Sequence, residues 1–323
     1  MGYLYSSNSE NQKKQLPEMK KPRVSVIICT HNREMYLNRA MECVALQNAD
    51  SSLFELIVVN NNSTDSTDSI CKEFRARYTN LNFSYIIEME QGLSHARNRG
   101  IKEAKGDLIV FLDDDAFAEP DFVKNLIAFY DLHPPVLSTG GKTVPLFEEE
   151  KPAWMSRFLL PLVAAMDLGP EARLFPKGWY PIGANMSFRK AAVELIGNFD
   201  VLLGRKGKNL QGGEEKDFFN RLKSKGHEPW YLPTTEVRHI IPASRMSINY
   251  IRRQARGIGY SERVRTKSLG LFSYWGKCFS EKMKWIASIV LFLFYLITLR
   301  AQKAVFLLRF RFWVSQGLFF GRE

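Results

Sequence analysis

Leu108-Ile109-Val110-Phe111-Leu112-Asp113-Asp114-Asp115 is the stretch on which the fold turns. Five apolar residues without alternation read as a strand buried on both faces, and they run directly into three acids. The same shape occurs twice upstream. Val24-Ser25-Val26-Ile27-Ile28-Cys29 stops at Thr30-His31-Asn32-Arg33, and the run Glu55–Val59 stops at Asn60-Asn61-Asn62-Ser63-Thr64-Asp65. Leu37, Met41, Val44 and Ala45 keep the spacing of a helix face, and Ser94–Ala104 and Asp121–Leu132 read as further helices, with a strand at Phe83–Ile87. This rhythm predicts an α/β fold, a mostly parallel sheet flanked by helices on both faces. Ligands of such sheets bind at the carboxyl ends of the strands, so the three polar clusters are expected to share one site.

Residues two apart in an extended segment project to the same side. Asp113 and Asp115 are therefore expected to reach one cation, with Asp114 pointing elsewhere. An isolated acidic triplet is usually a solvated turn. At the carboxyl end of a buried strand, three like charges call for a counter-ion, and two carboxylates beside phosphate oxygens suit Mg²⁺ or Mn²⁺. Further along, Gly212-Gly213-Glu214-Glu215-Lys216-Asp217 opens a predicted helix over Gly213–Lys225. Its acids sit where the helix dipole favours negative charge, and one of them can act as a general base. His239 gains interest from its neighbours Arg238 and Arg245. The segment 133–182, rich in Pro, Gly and aromatics, is too long for an ordinary connection and reads as a binding loop or lid.

The chain has 323 residues and a formal charge of +11. From Arg245 onward there are 15 Lys/Arg and 3 Asp/Glu, so the body before it is nearly neutral and the tail carries the charge. Those cations interleave with Trp285, Phe292, Phe294, Phe306, Phe310, Phe312 and Trp313. That mixture suits an anionic membrane surface better than nucleic acid. Residues 285–299 carry no charge between Lys284 and Arg300. They are shorter than the roughly 20 residues of a spanning helix and longer than a typical interfacial stretch. The readings are an interfacial or re-entrant hairpin, a true span, or a helix packed on the catalytic body. The four cysteines fall in no ligand spacing and weakly imply a reducing compartment. No signal peptide is recognisable, and the polar residues 1–21 read as a mobile leader.

Together these pieces resemble the family 2 glycosyltransferases of the GT-A fold. Val24–Arg33 looks like their opening strand and nucleotide loop, and Asn60–Asp68 is similar to their second-strand motif. Gly92-Leu93-Ser94-His95-Ala96-Arg97-Asn98-Arg99-Gly100 resembles their Gly…Ala-Arg-Asn-x-Gly segment, and Asp113-Asp114-Asp115 their Asp-x-Asp motif. Gly183–Arg189 and Gly213–Asp217 look like the acceptor-side motifs. The likeness covers about 24–245 in order, which divides the chain into a leader (1–21), a catalytic domain (22–245) and a basic helical tail (246–323).

The resemblance implies an inverting transfer of a sugar from a nucleotide-diphospho-sugar to a hydroxyl of a saccharide or lipid-linked acceptor, in envelope polysaccharide or glycolipid synthesis. It implies that Thr30, Asn32 and Arg33 line the base and ribose pocket, with Asn61 or Asn60 at the base. Arg97 would approach the diphosphate, Asp115 would ligate Mn²⁺ or Mg²⁺, and Asp113 would contact ribose or metal-bound water. His239 would touch metal or diphosphate, and Arg245 would neutralise the leaving group. Glu215 takes the place of the base, with Glu214 and Asp217 as alternatives. Two features depart from the family pattern. Asn60 and Asn61 stand where an Asp is common, which leaves the nucleotide open, and Glu215 is one methylene longer than the usual Asp. The expected location is the cytoplasmic side of the cell membrane, peripheral or with a short embedded segment. A nucleotidyltransferase would want a glycine-rich triphosphate loop that His31-Asn32-Arg33-Glu34 lacks, and a non-catalytic relative would not need the acids at 113, 115 and 215.

Overall fold

A computed structural model describes residues 21–206 and 212–321. All but the last residue of the expected leader lies outside that range. The sheet begins with four parallel strands in the order β3-β2-β1-β4, where β1 is Val24–Thr30, β2 Phe54–Asn60, β3 Asn82–Ile87 and β4 Leu108–Asp113. Alternation along each strand splits the core. Val24, Val26, Ile28, Leu56, Val58 and Val110 face one side, against α1 (Glu34–Ala45), α2 (Thr67–Arg77) and α4 (Phe122–Leu132). Ile27, Ile57, Val59, Ile109 and Phe111 face the other, against α3 (Leu93–Glu103), α5 (Lys190–Ile196) and α6 (Glu214–Ser224). Each large aliphatic side chain so buried contributes about 1.5–3 kcal/mol, which is why the near-continuous Val/Ile runs sit at the centre. Register then aligns the polar clusters: Cys29 lies level with Val59 on one side and Asp113 on the other.

Beyond β4 the sheet becomes mixed. β8 (Asn185–Arg189) is antiparallel to β4 and to β6 (Ser138–Phe147), while β9 (Trp230–Ile241) runs parallel to β6. The short β5 (Ala116–Ala118) and β7 (Arg173–Leu174) are antiparallel to β9. β6 falls in the segment read from sequence as a loop or lid. Gly140, Gly141 and Pro145 obscure its pattern, since glycine and proline are depleted in strands. Gly141 has a steric reason: a Cβ there would run into the Thr235 carbonyl of β9. The rest of that segment supplies a 3₁₀ turn, Arg157–Val163, whose end forms one wall of the cleft described below.

The tail is three helices, α7 (Ile248–Ser268), α8 (Leu271–Ile297) and α9 (Ala301–Phe320). Ser247 caps α7 by accepting from the Tyr250 N–H. α7 and α9 pack backbone to backbone at Gly259 and Gly317, where a Cβ on either would meet the partner helix's carbonyls. Their apolar side chains, with Met155 and with Leu159 and Val163 of the 3₁₀ segment, form a separate core. α8 turns its polar residues Glu281 and Ser288 inward. Phe272, Trp275, Phe279, Met283, Ile286, Val290, Leu293 and Ile297, spaced by three and four, form an exposed stripe along it. No described helix is long and apolar enough to cross a membrane.

Candidate active site

A cleft of about 350 Å³ opens at the carboxyl ends of β1 and β4. Asp113, Asp114 and Asp115 form one end of its lining and Glu214 and Glu215 the other. Asp113 closes β4, but Asp114 and Asp115 lie in a turn leading to β5, so the two outer acids converge through that turn instead of along a strand. The turn also recruits His239. β5 pairs with β9 so that Ala116 lies opposite His239, and the Ile240 N–H donates to the Asp115 carbonyl. One ligand atom each from Asp113, Asp115 and His239 then lie within 4.8 Å of one another.

The donor set fits a divalent cation. His239 Nδ1 lies 3.3 Å from the Val163 carbonyl oxygen. Its Nε2 lies 2.9 Å from Asp115 Oδ1 and 4.0 Å from Asp113 Oδ2. Despite that proximity, the buried Nε2 makes no well-directed hydrogen bond. An imidazole nitrogen left so, beside two carboxylate oxygens, is a donor set that suits a divalent cation. Asp115 is also gripped by the guanidinium of Arg33 and by that of Arg245 at 3.1 Å. Burial works to raise its pKa, but His239, Arg245 and Arg33 outweigh it and hold the carboxyl well below the usual range. Asp114 lies outside the Asp–Asp–His cluster. Burial first, then the Asp115 charge, push it up to about 7.

At the other end, Gly213 adopts φ 109° and starts α6, bringing two glutamates to the helix N-terminus. Arg97 of α3 bridges them, donating from Nη1 to Glu214 at 2.9 Å and from Nη2 to Glu215 at 3.0 Å. Gly183 closes on this pair so tightly that a Cβ would collide with the guanidinium. Arg97, 2% exposed, lines the cleft as expected from sequence, with its guanidinium engaged with the two acids. Burial and the Glu215 charge push Glu214 up to about 7. For Glu215 burial pulls upward too, but the Arg97 charge and a backbone hydrogen bond prevail, and the carboxyl stays below its ordinary value. Glu215 is a fifth exposed, against 3% for the Glu214 side chain. Asp217 pairs with Arg221 one turn on, at 2.8 Å, and does not line the cleft.

The expected nucleotide loop separates into wall and scaffold. Thr30, Arg33 and Asn61 line the cleft, whereas Asn32 and Asn60 do not. Asn32 Oδ1 accepts from the Thr64 N–H, and Asn60 accepts from Ser63 and donates to Tyr85, so both tie loops together. The Asn61 side chain is also committed, donating to the Glu88 and Glu90 carbonyls and accepting from Gly92 N–H. Its backbone carbonyl lies 2.9 Å from His31 Nδ1, and His31 in turn meets Gln91 at 3.1 Å. His31, Gln91, Arg205 and Gln254 line the cleft without having been singled out in the sequence. His31 sat inside the quoted polar loop and was legible in principle. Arg205 and Gln254 follow no pattern and are brought in by the chain path alone.

The sequence profile of "Glycosyl transferase family 2" matches residues 25–197. The chain is similar to the glucosyl-dolichyl phosphate glucuronosyltransferase of Haloferax volcanii, 27% identical over 246 residues, 75% of this chain and 77% of that protein. It is 38% identical over 109 residues to the minor teichoic acid biosynthesis protein GgaB of Bacillus subtilis, of whose length it spans 12%. Among solved structures, the mannosyltransferase PcManGT of Pyrobaculum calidifontis, in complex with GDP-Man and Mn²⁺, superposes with a TM-score of 0.63 at 17% identity. That match covers 96% of this chain and 91% of the other. At such identity the likeness carries the fold, and the GT-A architecture expected from the sequence is the one observed.

Proposed function

The chain belongs to glycosyl transferase family 2, and from that membership we propose that it transfers a sugar, with inversion, from a nucleotide-diphospho-sugar to an acceptor hydroxyl. The observation that carries this reading is Glu215, with Arg97 against its carboxylate, in the same cleft as the Asp113–Asp115–His239 cluster. Those three residues would hold Mn²⁺ or Mg²⁺, which supplies positive charge for the diphosphate as it leaves. Glu215 accepts the acceptor's proton while the new carbon–oxygen bond forms and the anomeric carbon–phosphate oxygen bond breaks. Arg97 keeps Glu215 ionised and aimed, and Arg33 and Arg245 lie beside the departing charge.

For the acceptor, the apolar stripe of α8 and the cations around it favour a lipid-linked substrate at an anionic membrane surface, on its cytoplasmic side. A relative whose name specifies a dolichyl phosphate substrate points the same way. The deciding experiment is thermal shift with UDP, GDP, ADP, CDP and dTDP, each with and without Mn²⁺, followed by nucleotide release from the matching sugar donors. One nucleoside diphosphate is expected to stabilise only with Mn²⁺, by about 2.7 kcal/mol at a hundredfold excess over Kd. Stabilisation by none of the five rejects the reading. A non-catalytic relative would bind and release no nucleotide.

A further inference from the structure

The α6 turn that carries Glu214 and Glu215 is preceded by Gly212-Gly213, a backbone with little restraint of its own. The tail helix α7 grips it at two points. The Gly212 N–H donates to Ser261 Oγ at 3.0 Å, and the Lys216 ammonium reaches Glu262 Oε1 at 2.6 Å. A Cβ on Gly213 would lie 3.7 Å from the Ser261 Cβ, so α7 runs directly against the turn. Glu262 is 8% exposed and gathers two more cations on its other oxygen, Arg265 at 3.1 Å and Lys277 of α8 at 2.8 Å. Burial depresses the Lys216 pKa to about 8, against the pull of Glu262.

A buried carboxylate with three partly buried cations is an expensive way to join helices, because desolvation offsets much of the attraction and apolar side chains pack as well. What an ion cluster adds is direction. Leu222, Phe218 and Phe219 already bury α6 against the sheet, yet greasy contacts leave its first turn free to rotate by a small angle. The hydrogen bonds that Ser261 and Glu262 accept from Gly212 and Lys216, on either side of Glu214 and Glu215, remove that freedom. We infer that Glu262, assisted by Ser261, is a positioning residue of the transferase. It locks the first turn of α6 so that Glu215 faces the acceptor, and it ties that turn through Lys277 to the apolar-striped helix α8. The tail is thereby part of the catalytic apparatus and more than an anchor. This rests on Glu215 being the base.

The test uses the full-length chain with Glu262→Gln, Glu262→Asp and Ser261→Ala, the nucleotide-sugar that wild type turns over, and amide exchange over residues 212–218. Glu262→Gln is expected to lower kcat by about 10–100-fold, the scale of a small misplacement of a catalytic group. Donor KM should stay within about twofold, since the metal end is untouched. Glu262→Asp, which keeps the charge, should recover most of kcat, and amide exchange in the first turn of α6 should quicken in Glu262→Gln. An unchanged kcat with only a lower melting temperature overturns the inference, as does a parallel fall in donor affinity. If Glu262→Gln does not fold, Ser261→Ala decides by the same readings. Should wild type release no nucleotide from any donor, the proposed function fails instead, and unchanged exchange in Ser261→Ala would separately overturn the mechanical link.

Discussion

The two ends of the cleft each hold adjacent acids of unequal strength, and they achieve the inequality differently. Asp114 and Glu214 are both pushed up to about 7 by burial and by the neighbouring carboxylate, while Asp115 and Glu215 are held below the ordinary range. Asp115 owes this to three groups from separate places: Arg33 after β1, His239 on β9 and Arg245 beyond it. Glu215 has one cationic partner, Arg97, helped by a backbone hydrogen bond. The carboxylates at 113 and 115 suit a metal ion, and the Arg33 and Arg245 guanidinium groups beside them suit a diphosphate. A single partner leaves Glu215 able to take a proton and return it. The difference separates a site built for binding charge from one built for moving a proton.

The sharpest break in this comparison is Glu215→Gln against Asp115→Asn. Glu215→Gln keeps size and can still accept from Arg97, so turnover should fall about 10²–10⁴-fold with donor affinity nearly unchanged. Asp115→Asn should instead cost Mn²⁺-dependent donor affinity, by about 10–100-fold or more. Titration calorimetry with the nucleoside diphosphate separates them; equal losses of affinity would erase the distinction between the ends.

Arg97→Met strikes one end only. Leaving Glu214 and Glu215 without their buried partner should cost about 3–5 kcal/mol of stability. It should also move the acid limb of the kcat–pH profile to higher pH, because the charge that keeps Glu215 ionised is gone. A limb that stays in place means Arg97 does not set the state of Glu215.

The smallest effect is in stability against pH. Glu214 titrates near 7 when folded, above the usual value of 4.5. Its protonated form is favoured by folding, so its contribution is fully present below the unfolded pKa and is lost as pH rises through the folded one. Glu214→Gln should therefore gain on wild type between about pH 4.5 and 7, by roughly 1–3 kcal/mol, and hold that gain above. Glu215 has the opposite sign, its contribution being lost as pH falls through its depressed pKa. Urea midpoints at several pH values measure the gap, and a gap that does not widen refutes the assignment.

Much of the frame was readable in the chain. Val24–Cys29, Glu55–Val59 and Leu108–Leu112 could only be strands buried on both faces, and the helices between them followed from apolar spacing. β6 escaped because Gly140, Gly141 and Pro145 are residue types depleted in strands, and the close approach that Gly140 and Gly141 allow is not reported by pattern. Arg97 was expected near the diphosphate, but its motif says nothing of the two glutamates that it bridges. Asp217 was kept as a rival base because acids at a helix start look alike until rotation about the axis is known.

By itself, then, the sequence determined which segments are strands and helices and that polar loops gather at one sheet edge, because hydrophobic periodicity is a local property. Tertiary structure decided which acids are ionised, that His239 meets Asp115 through the β5–β9 register, and that α7 braces the turn bearing Glu215. Those depend on burial and on charges brought together from more than a hundred residues apart, such as Arg97 with Glu214, and electrostatics of that kind is set by distance in space, not along the chain.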